Sequence, residues 1–148
     1  MWAHPAITIP SARRDRRFKM PNVFTTFASS RFIDREAVVA ALRDCANRLR
    51  EQEPAIIGVH LFGSFATGTA TPRSDADIVV EIADADPETR QRVWETAFAA
   101  FLHAPVPVDL FVMPTERLQQ GRRNWRGVPG VIAREGIRLE GAEWDIIS

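Results

Sequence analysis

Cysteine, tyrosine and lysine are almost missing from this 148-residue chain. The single cysteine, Cys45, excludes an intramolecular disulfide and a zinc site built from several cysteines. There is no tyrosine at all. Lys19 is the only lysine, and we interpret the preference for arginine as a bias of the source genome.

Net charge and long apolar runs are also missing. Nineteen basic residues balance nineteen acidic ones, so no overall field draws the protein onto nucleic acid, and a nucleic-acid partner is disfavoured. No apolar run approaches the length of a transmembrane helix or the core of a signal peptide. We therefore expect a cytoplasmic protein without a membrane partner.

The length fits one domain that buries about two-thirds of the surface of its unfolded chain. We predict this domain over residues 34–148 and a basic, flexible extension over residues 1–33. Basic residues far outnumber acids in Met1–Lys19, where Asp15 is the only acid. Two interpretations stay open: an arm that contacts RNA or an acidic partner, or a dispensable extension, with Met20 as an alternative start.

Apolar spacing and capping residues predict an α/β domain. Its mixed sheet should have three to four strands, with the helices packed mainly on one face. The predicted elements are a helix from Asp34 to before Pro54, strands at 56–62 and 78–82, a helix from Asp86 to about His103, a strand at 106–112, a short helix at 129–134 and a strand at 137–139. Cys45 lies on the buried stripe of the first helix, as a packed thiol would.

Three other features admit two interpretations each. His60 either orients a ligand or is a hydrogen-bonded residue of the sheet. The segment Pro114–Gly127, with arginines around Trp125, is either a flexible basic loop that contacts a nucleotide or partner, or a solvated loop. The end of the chain, with Trp144 and Ile146, has no evident partner within the chain and is a candidate contact with another subunit.

The stretch from Val59 to Val80 carries the strongest chemical pattern. An apolar run ends at Gly63-Ser64, where glycine permits a sharp turn and Ser64 supplies a hydroxyl and an N–H at the start of a short helix. Such a corner suits phosphate oxygens. We take Gly63, Ser64 and Ser74 as candidate nucleotide-binding residues.

Acidic residues follow this corner. Asp75 and Asp77 should lie on one face of a strand, roughly 7 Å apart, and would repel each other unless a cation lies between them. A third acid, Asp109, lies in a later apolar run. Taken singly, each aspartate could be a turn, cap or strand-end residue.

Gly63-Ser64, ten intervening residues, Asp75-x-Asp77 and then Asp109 resemble the signature of the DNA polymerase beta-like nucleotidyltransferase superfamily. The short length resembles the minimal nucleotidyltransferases, the antitoxins of MNT/HEPN toxin-antitoxin pairs. The resemblance covers roughly residues 34–140. It implies the nucleotidyltransferase fold, with the acids clustered at one edge or end of the sheet.

Nucleotidyl transfer requires divalent cations that neutralise phosphate charge, and Mg²⁺ prefers oxygen ligands. Asp75 and Asp77 would bridge two Mg²⁺ ions, one of which arrives with the nucleoside triphosphate. Asp109 would complete one ion and take the proton of the acceptor hydroxyl. Gly63 and Ser64 would hold the phosphates that leave as pyrophosphate, with ATP as the expected substrate and AMP as the transferred group.

The resemblance further implies a tyrosine of a HEPN toxin as acceptor, which must belong to another polypeptide. One departure is Phe65, where minimal members often carry a basic residue; Arg73 or the 122–126 segment would then have to supply the charge. Alternatives are transfer to a small molecule such as an aminoglycoside, a non-catalytic nucleotide- or partner-binding module, and end addition to nucleic acid. The base of the nucleotide, the acceptor and the number of subunits stay open.

Overall fold

The protein, described by a computed structural model over residues 33–83 and 86–141, has a mixed α/β fold, as predicted. Its described elements in chain order are α1 (Arg35–Gln52), β1 (Ile56–Phe62), α2 (Ser64–Thr67), β2 (Ala76–Ile82), α3 (Pro87–Phe101), β3 (Val108–Pro114), α4 (Thr115–Asn124), α5 (Gly127–Glu135) and β4 (Ile137–Arg138). The predicted strands are confirmed, with bounds shifted by up to two residues.

The four strands form one sheet in the order β3-β2-β1-β4. β1 is antiparallel to both β2 and β4, whereas β2 and β3 are parallel. Parallel neighbours require a crossover connection, and α3 supplies it. This crossover aligns the starts of β2 and β3 at the same end of the sheet.

Capping residues set where the two long helices begin. The Asp34 carboxylate accepts a hydrogen bond from the Ala37 N–H at 3.0 Å, and the Asp86 carboxylate accepts one from the Thr89 N–H at 3.0 Å. Each cap satisfies an N–H that has no partner within its helix, and Pro87 suits the first turn because it has no N–H to satisfy. Both helix starts match the prediction.

The main core lies between one face of the sheet and the helices α1 and α3. Alternate strand residues such as Val59, Ile78 and Leu110 point into it, as the two-residue period of a strand requires. Cys45 is buried in the same core, and burial raises the pKa of its thiol. Cys45 is thus a packed thiol with little thiolate character, as predicted, and not a nucleophile.

The opposite face of the sheet carries a smaller apolar cluster, covered by α4 and α5. Its buried members are Phe62, Val79 and Met113, with side chains of both helices packed against them. Here the interpretation of Pro114–Gly127 as a flexible loop was wrong, because residues 115–124 form α4. α4 has little apolar pattern of its own and is stabilised by close packing against α5. The two helices approach so closely that a Cβ added at Gly121 would lie 2.8 Å from the Gly130 backbone nitrogen of α5.

A buried carboxylate closes the edge of the sheet beside the short strand β4. Glu140 is only 4% exposed, and its Oε1 accepts a hydrogen bond from the Val59 N–H at 2.8 Å. Its other oxygen accepts hydrogen bonds from Arg50 and Arg138. The side chain thus continues the pairing of β1 where β4 ends, and its charge is balanced by two guanidinium groups.

Several sequence-based expectations fall outside the described residues. These are the basic residues of Met1–Lys19, the alternative start at Met20, and the apolar residues Trp144 and Ile146. Within the described ranges, no helix has the length and apolar character needed to cross a bilayer.

Replacement of Glu140 by alanine should lower the free energy of unfolding by about 2 kcal/mol, because the buried Val59 N–H loses its acceptor and two arginines lose their partner. Glu140→Gln keeps an acceptor and should cost less. Urea unfolding monitored by circular dichroism measures both. The exposed Glu135→Ala variant is the control and should change stability by less than about 0.5 kcal/mol; an equal loss in all three would contradict the proposed edge contact.

Candidate active site

Gly63 forms the predicted corner between β1 and the short helix α2. Its φ of 79° lies in the region that favours glycine. The Gly63 carbonyl accepts hydrogen bonds from the N–H groups of Ala66 and Thr67 at 3.0 and 3.1 Å, which form the turn of α2. The helix ends at Gly68, with φ of 87°. The predicted turn and short helix are therefore present.

Gly63 also leaves room for an acidic side chain. In the antiparallel pairing of β1 with β2, Phe62 lies opposite Asp77. A Cβ at Gly63 would lie 3.2 Å from the Asp77 Cγ and closer still to Oδ2. Any other residue at this corner would displace the carboxylate, so the glycine and the aspartate are coupled sterically.

The structure brings the three predicted aspartates to one end of the sheet. Asp77 and Asp109 are direct neighbours across the parallel pair β2-β3, and Asp75 immediately precedes β2. Because Ala76 and Val108 point into the main core, Asp77 and Asp109 point to the opposite face. All three side chains are partly buried.

Burial and mutual repulsion together disfavour negative charge at this end of the sheet. Burial, with the charges of Asp109 and Asp75 nearby, raises the pKa of Asp77 to about 6. Ionised Asp77 is therefore disfavoured by its surroundings at neutral pH. A bound cation would reverse this effect, because it would attract all three carboxylates.

The type of donor at this end of the sheet fits Mg²⁺, which binds carboxylate oxygens together with water and phosphate oxygens. Within residues 33–83 and 86–141, however, no three acidic, histidine or cysteine side chains are already arranged to hold a metal ion. Asp75, Asp77 and Asp109 are thus close together without forming a complete metal site by themselves. Their roles as metal ligands and catalytic groups stay a prediction.

The two predicted nucleotide-binding serines lie on either side of the acids in the chain. Ser64 is the first residue of α2 and is partly buried. The Ser74 hydroxyl accepts a hydrogen bond from the Thr71 N–H at 2.8 Å, and the Ser74 N–H donates to the Thr71 carbonyl at 2.9 Å. Ser74 therefore shapes the turn that leads to Asp75; contact of either serine with a nucleotide stays a prediction.

Arg35 holds the glycine corner from α1, and sequence reasoning missed it. Its Nε–H donates to the Phe65 carbonyl at 2.7 Å, and its Nη2 donates to the Ala66 carbonyl at 3.1 Å. Phe65 itself is fully buried in the main core. The Phe65 side chain thus anchors α2 to the main core, and Arg35 holds the backbone of α2 in place. No sequence signal links Arg35 to a turn thirty residues away.

A second polar cluster lies toward the other end of β2. His60 and Glu81 are hydrogen-bonded at 3.0 Å, and the Thr115 hydroxyl donates to Glu81 at 2.7 Å. Burial favours a higher pKa for Glu81, but the hydrogen bonds from Thr115 and His60, together with the nearby charges, outweigh it and lower the pKa. His60 is thus a hydrogen-bonded residue of the sheet, the second of its two predicted roles.

A family profile described as a nucleotidyltransferase domain matches residues 42–127, which include Gly63 and all three aspartates. No curated protein matches the chain. Among solved structures, the chain is similar to a protein from Sulfolobus solfataricus assigned as a nucleotidyltransferase, with 14% identity over 70% of this chain and 80% of that one and a TM-score of 0.48.

Two further solved structures that match a similar share of the chain come from toxin-antitoxin systems. One is a toxin-antitoxin structure with AMP-PNP, with 21% identity over 70% of this chain and 76% of that one and a TM-score of 0.44. The other contains the tri-AMPylated HEPN toxin of Shewanella oneidensis with its MNT antitoxin, with 18% identity over 77% of this chain and 78% of that one and a TM-score of 0.40.

Replacement of Gly63 by alanine should destabilise the protein by about 2–3 kcal/mol, because it combines an unfavourable positive φ with a collision against Asp77. Gly68→Ala is a control for positive φ alone: its ψ of 13° differs from the −156° of Gly63, and nothing lies within 4 Å of the added Cβ. It should cost about 1 kcal/mol. A Gly63→Ala, Asp77→Ala double variant should recover part of the loss, as urea unfolding of the full mutant cycle would measure. Equal costs at the two glycines would contradict the collision.

Asp77→Asn should stabilise the ligand-free protein increasingly as pH rises. The pKa of Asp77 in the folded state, about 6, lies above its ordinary value, so the favourable contribution of the protonated acid is lost as pH rises through 6. The gain of the asparagine variant should reach on the order of 1 kcal/mol at about pH 8 after solvent screening, and nearly vanish at about pH 4. Urea unfolding in metal-free buffer measures this, with the exposed Glu95→Gln variant as control. A gain that does not change with pH would contradict the shifted pKa.

Proposed function

Because this chain belongs to the nucleotidyltransferase domain family, we propose that it transfers AMP from ATP to a hydroxyl group, with Asp75, Asp77 and Asp109 as its catalytic residues. One observation carries the proposal: Asp77 lies opposite Asp109 beside a glycine that leaves room for its carboxylate. Repelling carboxylates at the end of a sheet are poorly explained by stability alone. They are well explained by a site that binds cationic and phosphate groups together.

The aspartates would hold magnesium as follows. Asp75, Asp77 and Asp109 would hold two Mg²⁺ ions, one of which arrives with ATP. Bound magnesium supplies neutralisation of the phosphate charge and a lower pKa for the acceptor hydroxyl. The raised pKa of Asp77 supports this assignment, because it shows that burial and the neighbouring acids disfavour its charge without a counterion.

The protein residues would then direct the transfer. The Gly63-Ser64 corner, with Ser74, would bind the phosphates that leave. The acceptor oxygen attacks the α-phosphorus, the bond from that phosphorus to the oxygen bridging the β-phosphate breaks, and pyrophosphate departs. The acceptor proton passes to the Asp109 carboxylate and from there to solvent. Arg35 would keep the corner in place through its two carbonyl contacts.

For the acceptor, we propose a tyrosine of a HEPN-type toxin, so that the chain acts as its antitoxin. The resemblance of the Gly-Ser and aspartate motifs to minimal nucleotidyltransferases supports this choice. The lack of tyrosine in the chain fits it, because the enzyme would not consume ATP on itself. Position 65 carries a buried phenylalanine and not a basic residue. A basic group that binds the triphosphate must therefore come from another position, such as Arg73.

The purified chain, mixed with the protein encoded by the adjacent reading frame, should label that protein from α-labelled ATP and not from γ-labelled ATP. Labelling should require magnesium and release pyrophosphate. The Asp75→Ala, Asp77→Ala variant should lose at least about 10³-fold in rate, because the metal ligands act as a unit.

The control is Glu88→Ala in the first turn of α3, which removes an exposed acid that follows the opposite end of β2 from Asp77. Circular dichroism checks that both variants are folded. Label from γ-labelled ATP would indicate phosphoryl transfer, and label retained by the aspartate variant would exclude these residues. Label on a small molecule such as an aminoglycoside, and not on protein, would establish the alternative acceptor.

A further inference from the structure

The turn between α4 and α5 presents an unusual group of exposed side chains. We call it the arginine-tryptophan turn, and its members are Arg122, Arg123, Asn124, Trp125 and Arg126. Trp125 is 52% exposed, the highest value among the exposed large apolar residues in the described part of the chain. The surface therefore combines an open aromatic ring with three guanidinium groups.

Trp125 adopts a backbone conformation that a bulky residue rarely takes. Its φ is 55° and its ψ is 36°, at a helix end where glycine is the usual residue. A bulky aromatic in this conformation is disfavoured relative to glycine. The open side chain contributes little to the core in return. The tryptophan is therefore poorly explained by the stability of the fold.

The backbone of Trp125 is nevertheless held firmly. Its N–H donates to the Gly121 carbonyl at 2.7 Å, and its carbonyl accepts a hydrogen bond from Arg134 at 3.3 Å. Gly130 packs so tightly beneath it that a Cβ there would lie 2.8 Å from the Trp125 oxygen. The indole is thus presented to solvent from a fixed base, which reduces the entropy lost when a partner binds.

All the charges within the arginine-tryptophan turn are of one sign. Arg122, Arg123 and Arg126 are all exposed, and none of them forms an ion pair within the described ranges. Guanidinium groups bind carboxylates in a planar, two-point geometry. Tryptophan and arginine are also among the residue types enriched at the hot spots of protein interfaces.

We propose that the arginine-tryptophan turn is a docking surface for an acidic segment of a partner polypeptide, with Trp125 as the apolar anchor. That the partner is also the acceptor rests on the proposed function. Binding of a partner to this surface does not itself require the transfer reaction. A protein fits better than nucleic acid because the chain has no net charge and the basic group spans one turn only.

Fluorescein-labelled poly(Glu,Tyr) is a suitable probe, since it is an acidic polypeptide that contains tyrosine. Fluorescence anisotropy should show saturable binding to the wild-type chain. Trp125→Gly and Arg122→Ala, Arg126→Ala should weaken it at least about tenfold. Trp125→Gly relieves the positive φ, so its Tm should equal or exceed that of the wild type. Loss of binding therefore cannot be attributed to unfolding.

Leu102→Ala and Arg48→Ala are controls for apolar exposure and for charge, respectively, because both residues are exposed, Leu102 just after α3 and Arg48 on α1. Both should bind the probe normally. The Asp75→Ala, Asp77→Ala variant should also bind it, so docking can be tested even if no transfer occurs. Tighter binding of oligouridylate than of the copolymer through the same residues would overturn the proposal in favour of RNA. Weaker binding of MgATP by Trp125→Gly would overturn it in favour of a nucleotide wall.

Discussion

The register of β2 and β3, which holds Asp77 beside Asp109 despite their repulsion, is the constraint on which the candidate site depends. Asp77 and Asp109 are direct neighbours, and the adjoining residues of their strands are buried in the main core. Neither strand can shift by one residue to separate the charges, because such a shift would expose its whole apolar face. The fold thus holds together groups that would otherwise move apart.

Other parts of the chain maintain this arrangement. The crossover helix α3 makes β2 and β3 parallel, so that their acids meet at one end. Gly63 leaves space for the Asp77 carboxylate, while Phe65 and Arg35 fix the short helix that follows it. These contacts come from three separate elements. Each limits how far the corner can move relative to the acids, which is the kind of preorganisation that a catalytic site requires.

Carboxylates elsewhere in the molecule show what a structural role looks like. Glu53 is buried, and hydrogen bonds from Arg92 outweigh burial and lower its pKa. Glu140 is also buried and accepts hydrogen bonds from a backbone N–H and two arginines. Asp77 differs because its nearest charged neighbours are other acids, and its pKa is raised. The carboxylate therefore has hydrogen-bond donors in two places and acidic neighbours in the third, which separates the candidate site from the structural ion pairs.

The sequence by itself determined the succession of strands and long helices along the chain, the glycine corner and the aspartates. The spacing of apolar residues, the helix caps and the motif spacing are all local properties of the chain. The resemblance also implied that the acids cluster at one end of the sheet, but the residue pairing that places Asp77 beside Asp109 came only from the structure, since strand pairing joins residues far apart in the chain. Nor could the sequence reveal α4, which has little apolar pattern and depends on the close approach of Gly121 to α5. Arg35 and the fixed, exposed Trp125 likewise acquire their roles from contacts that only tertiary packing creates.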